Sequence, residues 1–288
     1  MLKLKDVKRE LFLGLVQAGI EESESRLEAD MIIEHATGWD LSHQLFREDE
    51  LIEEESHAVI KSILGRRRQR EPLQYCLGYA YFMGLKLAIR PGVFIPRTDT
   101  ETLVTVSVSL IEKLVSPVVC EIGPGSGAVS IGILKAVPAA SVIAVDISPC
   151  SIALTRENAL EHKVLDRLQL IACDWQNALP DQIDAIIANP PYIPAQSQMD
   201  LQPEIVGWEP PEALYGGDAD GLAFYRALVA RGVTRLKESG LVVVEIGDGQ
   251  ANQVSNIFAS GSLKHIRVYK DLNQLPRVIS AVSSHAGL

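Results

Sequence analysis

Three short runs limit how this chain can fold: Val118-Val-Cys-Glu-Ile122, Ile183-Asp-Ala-Ile-Ile-Ala188 and Leu241-Val-Val-Val-Glu-Ile246. Each is nearly continuous in apolar residues and too short for a stable helix. Each therefore reads as a strand buried on both faces. Two apolar faces need two covers, and helices supply them when strands run parallel. The intervening sequence provides those helices. A glycine-rich turn and a helix to about Val137 follow the first run. Ser141–Ile147 is a second strand with Pro149–His162 as its helix, and Leu168–Ala172 is a third strand. Ile183–Ala188 is the fourth. A long loop over 190–218 and a helix to about Lys237 precede the fifth, Leu241–Ile246. A helix over 250–260 and two shorter strands, near 264–269 and 276–282, close the chain. Such alternation predicts an α/β, doubly wound, Rossmann-like sheet.

The first 72 residues follow a different period. Leu4, Val7, Leu11 and Leu15 recur every three or four positions, the stripe of an amphipathic helix. Residues 21–37 predict a second helix with Leu27, Met31, Ile32 and Ala36 inward and Gly38 as its stop. Residues 49–70 predict a third, with Ile52, Val59, Ile60, Ile63 and Leu64 on one face. It ends in Arg66-Arg-Arg-Gln-Arg70, read either as solvated cations at a helix C-terminus or as a contact for a partner. Tyr79–Ile89 alternates around Gly84 as a β-hairpin, and a proline-containing connector follows. The expected division is a helical domain over 1–72, a hairpin and linker over 73–98, and the sheet domain over 99–288.

Composition narrows the function classes. The formal net charge of −10 argues against direct nucleic-acid binding, which calls for a clustered basic face. Cys76, Cys120, Cys150 and Cys173 are widely spaced, without C-x-x-C or paired histidines, so no metal is expected and the thiols read as reduced core residues. The N-terminus has charges among its apolar residues and is neither signal peptide nor membrane span. A soluble cytoplasmic protein is expected.

Ligands of open α/β sheets bind at the carboxyl ends of the strands, and the distinctive residues fall there. Glu121-Ile-Gly123-Pro124-Gly125-Ser126-Gly127 joins the first strand to its helix, where glycines allow close backbone approach to a ligand. Asp146-Ile147 ends the second strand, with a carboxylate suited to ribose hydroxyls. Gly123, Gly125 and Ala128 also fit a dinucleotide fingerprint, which keeps a dehydrogenase open. Asp174-Trp175, after the third strand, offers a carboxylate and a flat ring for an adenine, favouring S-adenosylmethionine. Asn189-Pro190-Pro191-Tyr192 ends the fourth strand. Two prolines fix the backbone and remove two donors, Asn189 adds a side-chain acceptor, and Tyr192 adds a ring. That set suits a planar group bearing an NH2. Accepting its hydrogens returns electron density to a delocalised nitrogen and orients it.

With these residues in place the chain resembles the class I methyltransferases, specifically the release-factor N(5)-glutamine methyltransferase family (PrmC/HemK). The resemblance runs through Glu71-Pro-Leu-Gln-Tyr75, Gly92-Val-Phe-Ile-Pro-Arg97, Thr100-Glu101, Glu121–Gly127, Val145-Asp-Ile-Ser-Pro149, Asp174-Trp175, Asn189–Ile193, Gly216-Gly217, Asp220-Gly221 and Glu245-Ile-Gly247. Asn-Pro-Pro-Tyr alone is shared with adenine-N6 methylases. The resemblance implies that Gly123–Gly127 and Asp146 hold the methionine and ribose parts of S-adenosylmethionine, with Trp175 near the adenine. It implies that Glu121 can reach the cofactor's amino group. Asn189 and the Pro190 carbonyl would accept the amide hydrogens of a glutamine, with Tyr192 on its plane, and the nitrogen would attack the methyl. The implied partner is a peptide-chain release factor, methylated at its Gly-Gly-Gln loop and docked with the help of the helical domain. A ribosomal-protein glutamine and a nucleic-acid adenine are the competing substrates. Asp271–Arg277 departs from the family's usual Gly-Asp-Arg ending, a difference expected to touch the sheet edge rather than the chemistry. The role of Asp99 is left open.

Overall fold

The computed structural model describes residues 2–194, 196–197, 201–261 and 263–284. The chain divides into two compact units: Met1–Tyr79 with Gln202–Trp208, and Ala80–Leu201 with Glu209–Leu288.

In the helical unit a short strand pair, β1 (Leu2–Lys3) and β2 (Leu51–Ile52), accompanies α1 (Leu4–Gln17), α2 (Glu22–Thr37), α3 (Leu41–Phe46), α4 (Glu54–Arg67) and α5 (Leu73–Leu77). The leucine stripe of α1 is buried as its spacing predicts, and Gly38 caps α2 in the left-handed region at φ 74°. Two faces differ from expectation. Leu27 is 65% exposed, and α2 instead buries Glu28, Ala29, Ile32 and Ile33. Val59 is also exposed, and Ile52 belongs to a strand rather than to α4.

Arg67 is the physical reason for the turned face. Its guanidinium is 1% exposed and grips Glu28 through two parallel bonds of 2.8 and 2.7 Å. A fork of this kind satisfies both ions in a low dielectric, and α2 rotates to supply it. Removing one partner of a buried pair costs about 3–5 kcal/mol. Three of the four arginines of the run are thus engaged within the chain, and Arg68 stays exposed. Arg66 binds Glu71 and the carbonyls of Tyr75 and Cys76, and Arg70 donates to Glu204 at 2.6 Å. Glu204 lies in α10 (Pro203–Trp208), a helix inside what reads as a long loop, and it also accepts from Arg67 at 3.2 Å.

The second unit opens with a hairpin of β3 (Tyr79–Phe82) and β4 (Leu85–Ala88). Met83 and Gly84 both have positive φ, the two-residue turn that matches strand twist. Helix α6 (Glu101–Ile111) leads into β5 (Val118–Ile122), α7 (Ala128–Ala136), β6 (Ser141–Asp146), α8 (Pro149–Glu161) and β7 (Leu168–Ala172). Then come α9 (Trp175–Ala178), β8 (Ile183–Ala188), α11 (Ala223–Ala227), β9 (Leu236–Glu245), α12 (Ala251–Ser260), β10 (Leu263–Lys270) and β11 (Pro276–Ser283). The strand order is β10-β11-β9-β8-β5-β6-β7. From β7 to β9 the neighbours are parallel, whereas β11 inserts antiparallel beside β9 and carries β10 at the edge.

Alternate residues of the central strands enter opposite cores. Val119, Ala185 and Val243 pack with α6 and α7, while Cys120, Ile186 and Val242 pack with α11 and α12. This is the two-sided burial that the apolar runs require. The helix expected to reach Lys237 stops earlier. After α11 the chain passes through a π turn, Leu228–Gly232, and a 3-10 turn, and β9 begins at Leu236 with an irregular register. Cys76 and Cys120 are core residues as expected, whereas Cys150 is exposed in the first turn of α8 and Cys173 is half-buried.

Candidate active site

The carboxyl ends of β5, β6, β7 and β8 open into one pocket of about 420 Å³. Every residue expected from the sequence to hold cofactor or substrate lines it except Gly127. Gly127 starts α7 at φ 85°, and a Cβ there would stand 2.9 Å from Thr155 Cγ2. It lets α7 pass α8, and Thr155 in turn donates to the Gly125 carbonyl at 3.0 Å.

In one wall the glycine turn and the end of the next strand bind each other directly. Asp146 ends β6 and accepts from Gly125 N at 3.3 Å and Ser148 N at 2.8 Å, tying the glycine turn to the next strand. Burial pushes its carboxyl upward, against those same hydrogen bonds. Asp174 spends one oxygen capping α9 on Gln176 N at 3.0 Å. The Trp175 ring, half-buried, meets Phe224 at 5.5 Å and 56°, so two aromatic faces stand at this end of the pocket. Glu121 is 2% exposed and accepts from the Ser130 hydroxyl. Burial pushes its carboxyl up to about 7, with nearby Asp146 adding to the rise.

The other wall is the Asn189–Tyr192 turn, whose partners come from remote segments. Asn189 Nδ2 donates to Thr100 Oγ1 at 3.1 Å. The amide is thereby oriented, and among the described residues neither Asn189 Oδ1 nor the Pro190 carbonyl accepts a hydrogen bond. Tyr192 O–H donates to Glu245 Oε1 at 3.2 Å, and burial pushes the phenol upward. The Tyr192 carbonyl accepts from Gln250 at 2.9 Å, and Ile193 is bonded to Leu214 and Gly216. Gly221 sits at φ 71° with the site of a Cβ only 2.2 Å from the Tyr192 carbonyl oxygen, so no side chain fits between them. The paired motifs Gly216-Gly217 and Asp220-Gly221 thus close the back of this turn.

Several site residues carry no role in the sequence reading. Thr100 and Phe94 line the pocket from the segment before α6, and Arg97 crosses from that segment to Glu209, which is 3% exposed. Glu245 is 1% exposed, and burial pushes it up to about 7 against Thr100, Arg277 and Tyr192, which favour its charged form. The signal for it was present: a glutamate at the end of an otherwise apolar buried strand demands a partner. Arg277 is a correction. It lies on β11, inside the sheet rather than at its edge, and it pairs with Asp99 at 3.2 Å and Asp271 at 3.3 Å beside Tyr192 and Glu245. Asp99 thereby gains a structural partner.

A strand-edge pocket with a glycine turn on one side and two free acceptors on the other fits a nucleoside-linked donor facing an amide. Comparison with known proteins gives the family. Residues 12–78 match the PrmC N-terminal domain, and residues 84–207 match the methyltransferase small domain. The chain is 37% identical over 266 residues to the release factor glutamine methyltransferase of Geobacter sulfurreducens, covering 92% of this chain and 91% of that one. It is 38% identical over 256 residues to the enzyme of the same name from Thermodesulfovibrio yellowstonii, covering 88% and 90%. The fold is similar to that of a methyltransferase from Pyrococcus furiosus, with a TM-score of 0.51 at 16% identity over 72% of this chain and 91% of the other. Identity at this level over nearly the full length of both chains places the protein in the release factor glutamine methyltransferase family.

Proposed function

We propose that this enzyme transfers a methyl group from S-adenosylmethionine to the side-chain amide nitrogen of the glutamine in the Gly-Gly-Gln loop of peptide-chain release factors. The observation that carries this reading is the orientation of Asn189. With Nδ2 committed to Thr100, Oδ1 is left as an acceptor beside the Pro190 carbonyl, which is unengaged among the described residues. Two acceptors on a rigid turn match the two hydrogens of a primary amide. Holding both hydrogens orients the nitrogen lone pair and opposes its delocalisation into the carbonyl, which is positioning with electrostatic stabilisation. Tyr192, fixed through its hydroxyl, presents its ring to the amide plane.

The opposite wall fits the cofactor. Asp146 has lone pairs left for ribose hydroxyls, Trp175 and Phe224 stand together where a flat base can pack, and the Gly123–Ser126 turn lets backbone approach closely. S-adenosylmethionine, when bound, supplies a methyl group on a positively charged sulfur. Glu121 would favour a cationic group near the turn. On this reading the helical unit, which matches the PrmC N-terminal domain, helps to dock the release factor, and the reaction takes place in the cytoplasm.

The test is methyl transfer from labelled S-adenosylmethionine to purified release factor, with Gly-Gly-Gln changed to Gly-Gly-Ala as control. Parallel reactions contain DNA and ribosomal protein. Label confined to the intact release factor is the expected result. Label in DNA would keep the amino-group chemistry of Asn189–Tyr192 and overturn the substrate.

A further inference from the structure

Thr100, at the pocket lining, and the buried Glu245 each bind a side chain of the Asn189–Tyr192 turn. Thr100 is 3% exposed and starts α6, yet its hydroxyl does not cap that helix. It accepts from Asn189 Nδ2 at 3.1 Å. A buried hydroxyl that accepts still has one hydrogen to place. The neighbouring carboxyl is Glu245, whose charged form Thr100 favours and which holds Tyr192 from the other side. Glu245 Oε1 receives the Tyr192 hydroxyl at 3.2 Å, while Oε2 is buried with no hydrogen-bond partner among the described residues. A donor lacking an acceptor thus stands beside an acceptor lacking a donor.

We propose that Glu245 and Thr100 are positioning residues, in which Glu245 locks Tyr192 through Oε1 and, through the Thr100 hydroxyl on Oε2, locks the amide of Asn189 with its oxygen toward the substrate. One carboxylate then sets both side chains that would receive the glutamine. The order along the chain is Asn189 N–H to Thr100 oxygen, Thr100 O–H to Glu245, with Tyr192 O–H arriving from the other side. Without Thr100 the Asn189 amide loses the acceptor that distinguishes its nitrogen from its oxygen, and the flipped amide would present donors to donors. Arg277, which pairs with Asp271 and Asp99, lies beside Glu245 and favours its charged, accepting state. The consequence for turnover rests on the glutamine-methylation reading; the hydrogen-bond order does not.

The experiment uses the full chain as wild type, Thr100→Val, Thr100→Ser, Glu245→Gln and the Thr100→Val/Glu245→Gln double variant. Thr100→Val is expected to lower kcat on release factor about tenfold, with KM and affinity for S-adenosylhomocysteine within about twofold. Thr100→Ser, which keeps the hydroxyl, restores kcat to within about threefold. Glu245→Gln keeps the shape but cannot accept at both positions, and it lowers kcat similarly. The double variant should lose no more than the worse single, because both act through one chain of bonds. A second readout needs no substrate. The Asn189 side-chain amide in asparagine-labelled protein, assigned by its loss in Asn189→Ala, should exchange slowly in wild type and Thr100→Ser and fast in Thr100→Val. Unchanged kcat in Thr100→Val, a fully additive double variant, or equal exchange in wild type and Thr100→Val would each overturn the proposal. If wild type fails to methylate release factor while exchange still responds to Thr100→Val, the positioning role stands and the substrate assignment falls.

Discussion

The two walls of the pocket are assembled by different means. In the glycine-turn wall, the hydrogen bonds on Asp146 come from residues 21 and 2 positions away. In the Asn189–Tyr192 wall the partners of Asn189, Tyr192 O–H and the Tyr192 carbonyl lie 89, 53 and 58 positions away. The Asp146 contacts of the first wall need only one strand, one turn and the next strand, although Phe224 joins that wall from α11. The second forms only when β8, β9, α6 and α12 are all in place. Both nevertheless contain a buried glutamate pushed up to about 7, Glu121 in one and Glu245 in the other. A cofactor wall of local construction and a substrate wall of remote construction should therefore fail separately under mutation and respond together to pH.

The sharpest separation is expected from Asn189→Ala. Losing one preorganised group at a reacting centre costs about 10²–10³ in rate, near 3–4 kcal/mol. Single-turnover methyl transfer should drop by that factor while calorimetry finds cofactor affinity nearly unchanged.

The pH response comes next and would unite the walls. A carboxyl with a folded pKa raised from 4.5 to about 7 holds its proton in the native state when the unfolded chain has lost it. Native stability then falls as pH rises from about 4.5 to about 7 and is level above that, by up to roughly 3 kcal/mol for one such group. Denaturant unfolding of cofactor-free protein at pH 5 and 8 should show this decline. Glu121→Gln should remove its own share, and an unchanged decline would mean that Glu121 is ionised throughout.

Gly221→Ala tests the remote wall without touching a proposed contact atom. Its Cβ would force the Tyr192 carbonyl away, and a displacement of about 1 Å at a reacting centre costs on the order of 10² in rate. Loss of cofactor affinity instead of kcat would break the separation of the walls. The smallest effect is expected for Asp146→Ala: cofactor affinity weaker by about tenfold, one to two hydrogen bonds' worth, with kcat at saturating cofactor largely kept. Equal affinity in calorimetry would remove Asp146 from the cofactor wall.

Much of this molecule is legible in its sequence, for a reason visible in particular residues. Val118–Ile122 and Ile183–Ala188 are apolar on both faces, so a covered parallel sheet follows from burial alone. Glycines after β5, a carboxylate ending β6 and Asn-Pro-Pro-Tyr ending β8 fall at the strand ends where such sheets bind ligands, and they do meet in one pocket. The leucine stripe of α1 is equally direct. Failures concentrate where a charge is buried. Leu27 reads as core by hydrophobicity, but α2 turns Glu28 inward to meet Arg67, since an unpaired buried guanidinium would cost more than an exposed leucine.

What the chain determined by itself was therefore the period of its apolar residues and the chemistry at its strand ends, because both are local properties of neighbouring side chains. Only the tertiary structure decided that β11 enters the sheet beside β9 and brings Arg277 to the site. It alone decided that Thr100 backs Asn189 and that Glu245 backs Tyr192. Hydrogen-bond partners of a buried polar group are chosen by what the folded backbone places within about 3 Å, and that proximity has no trace in sequence spacing.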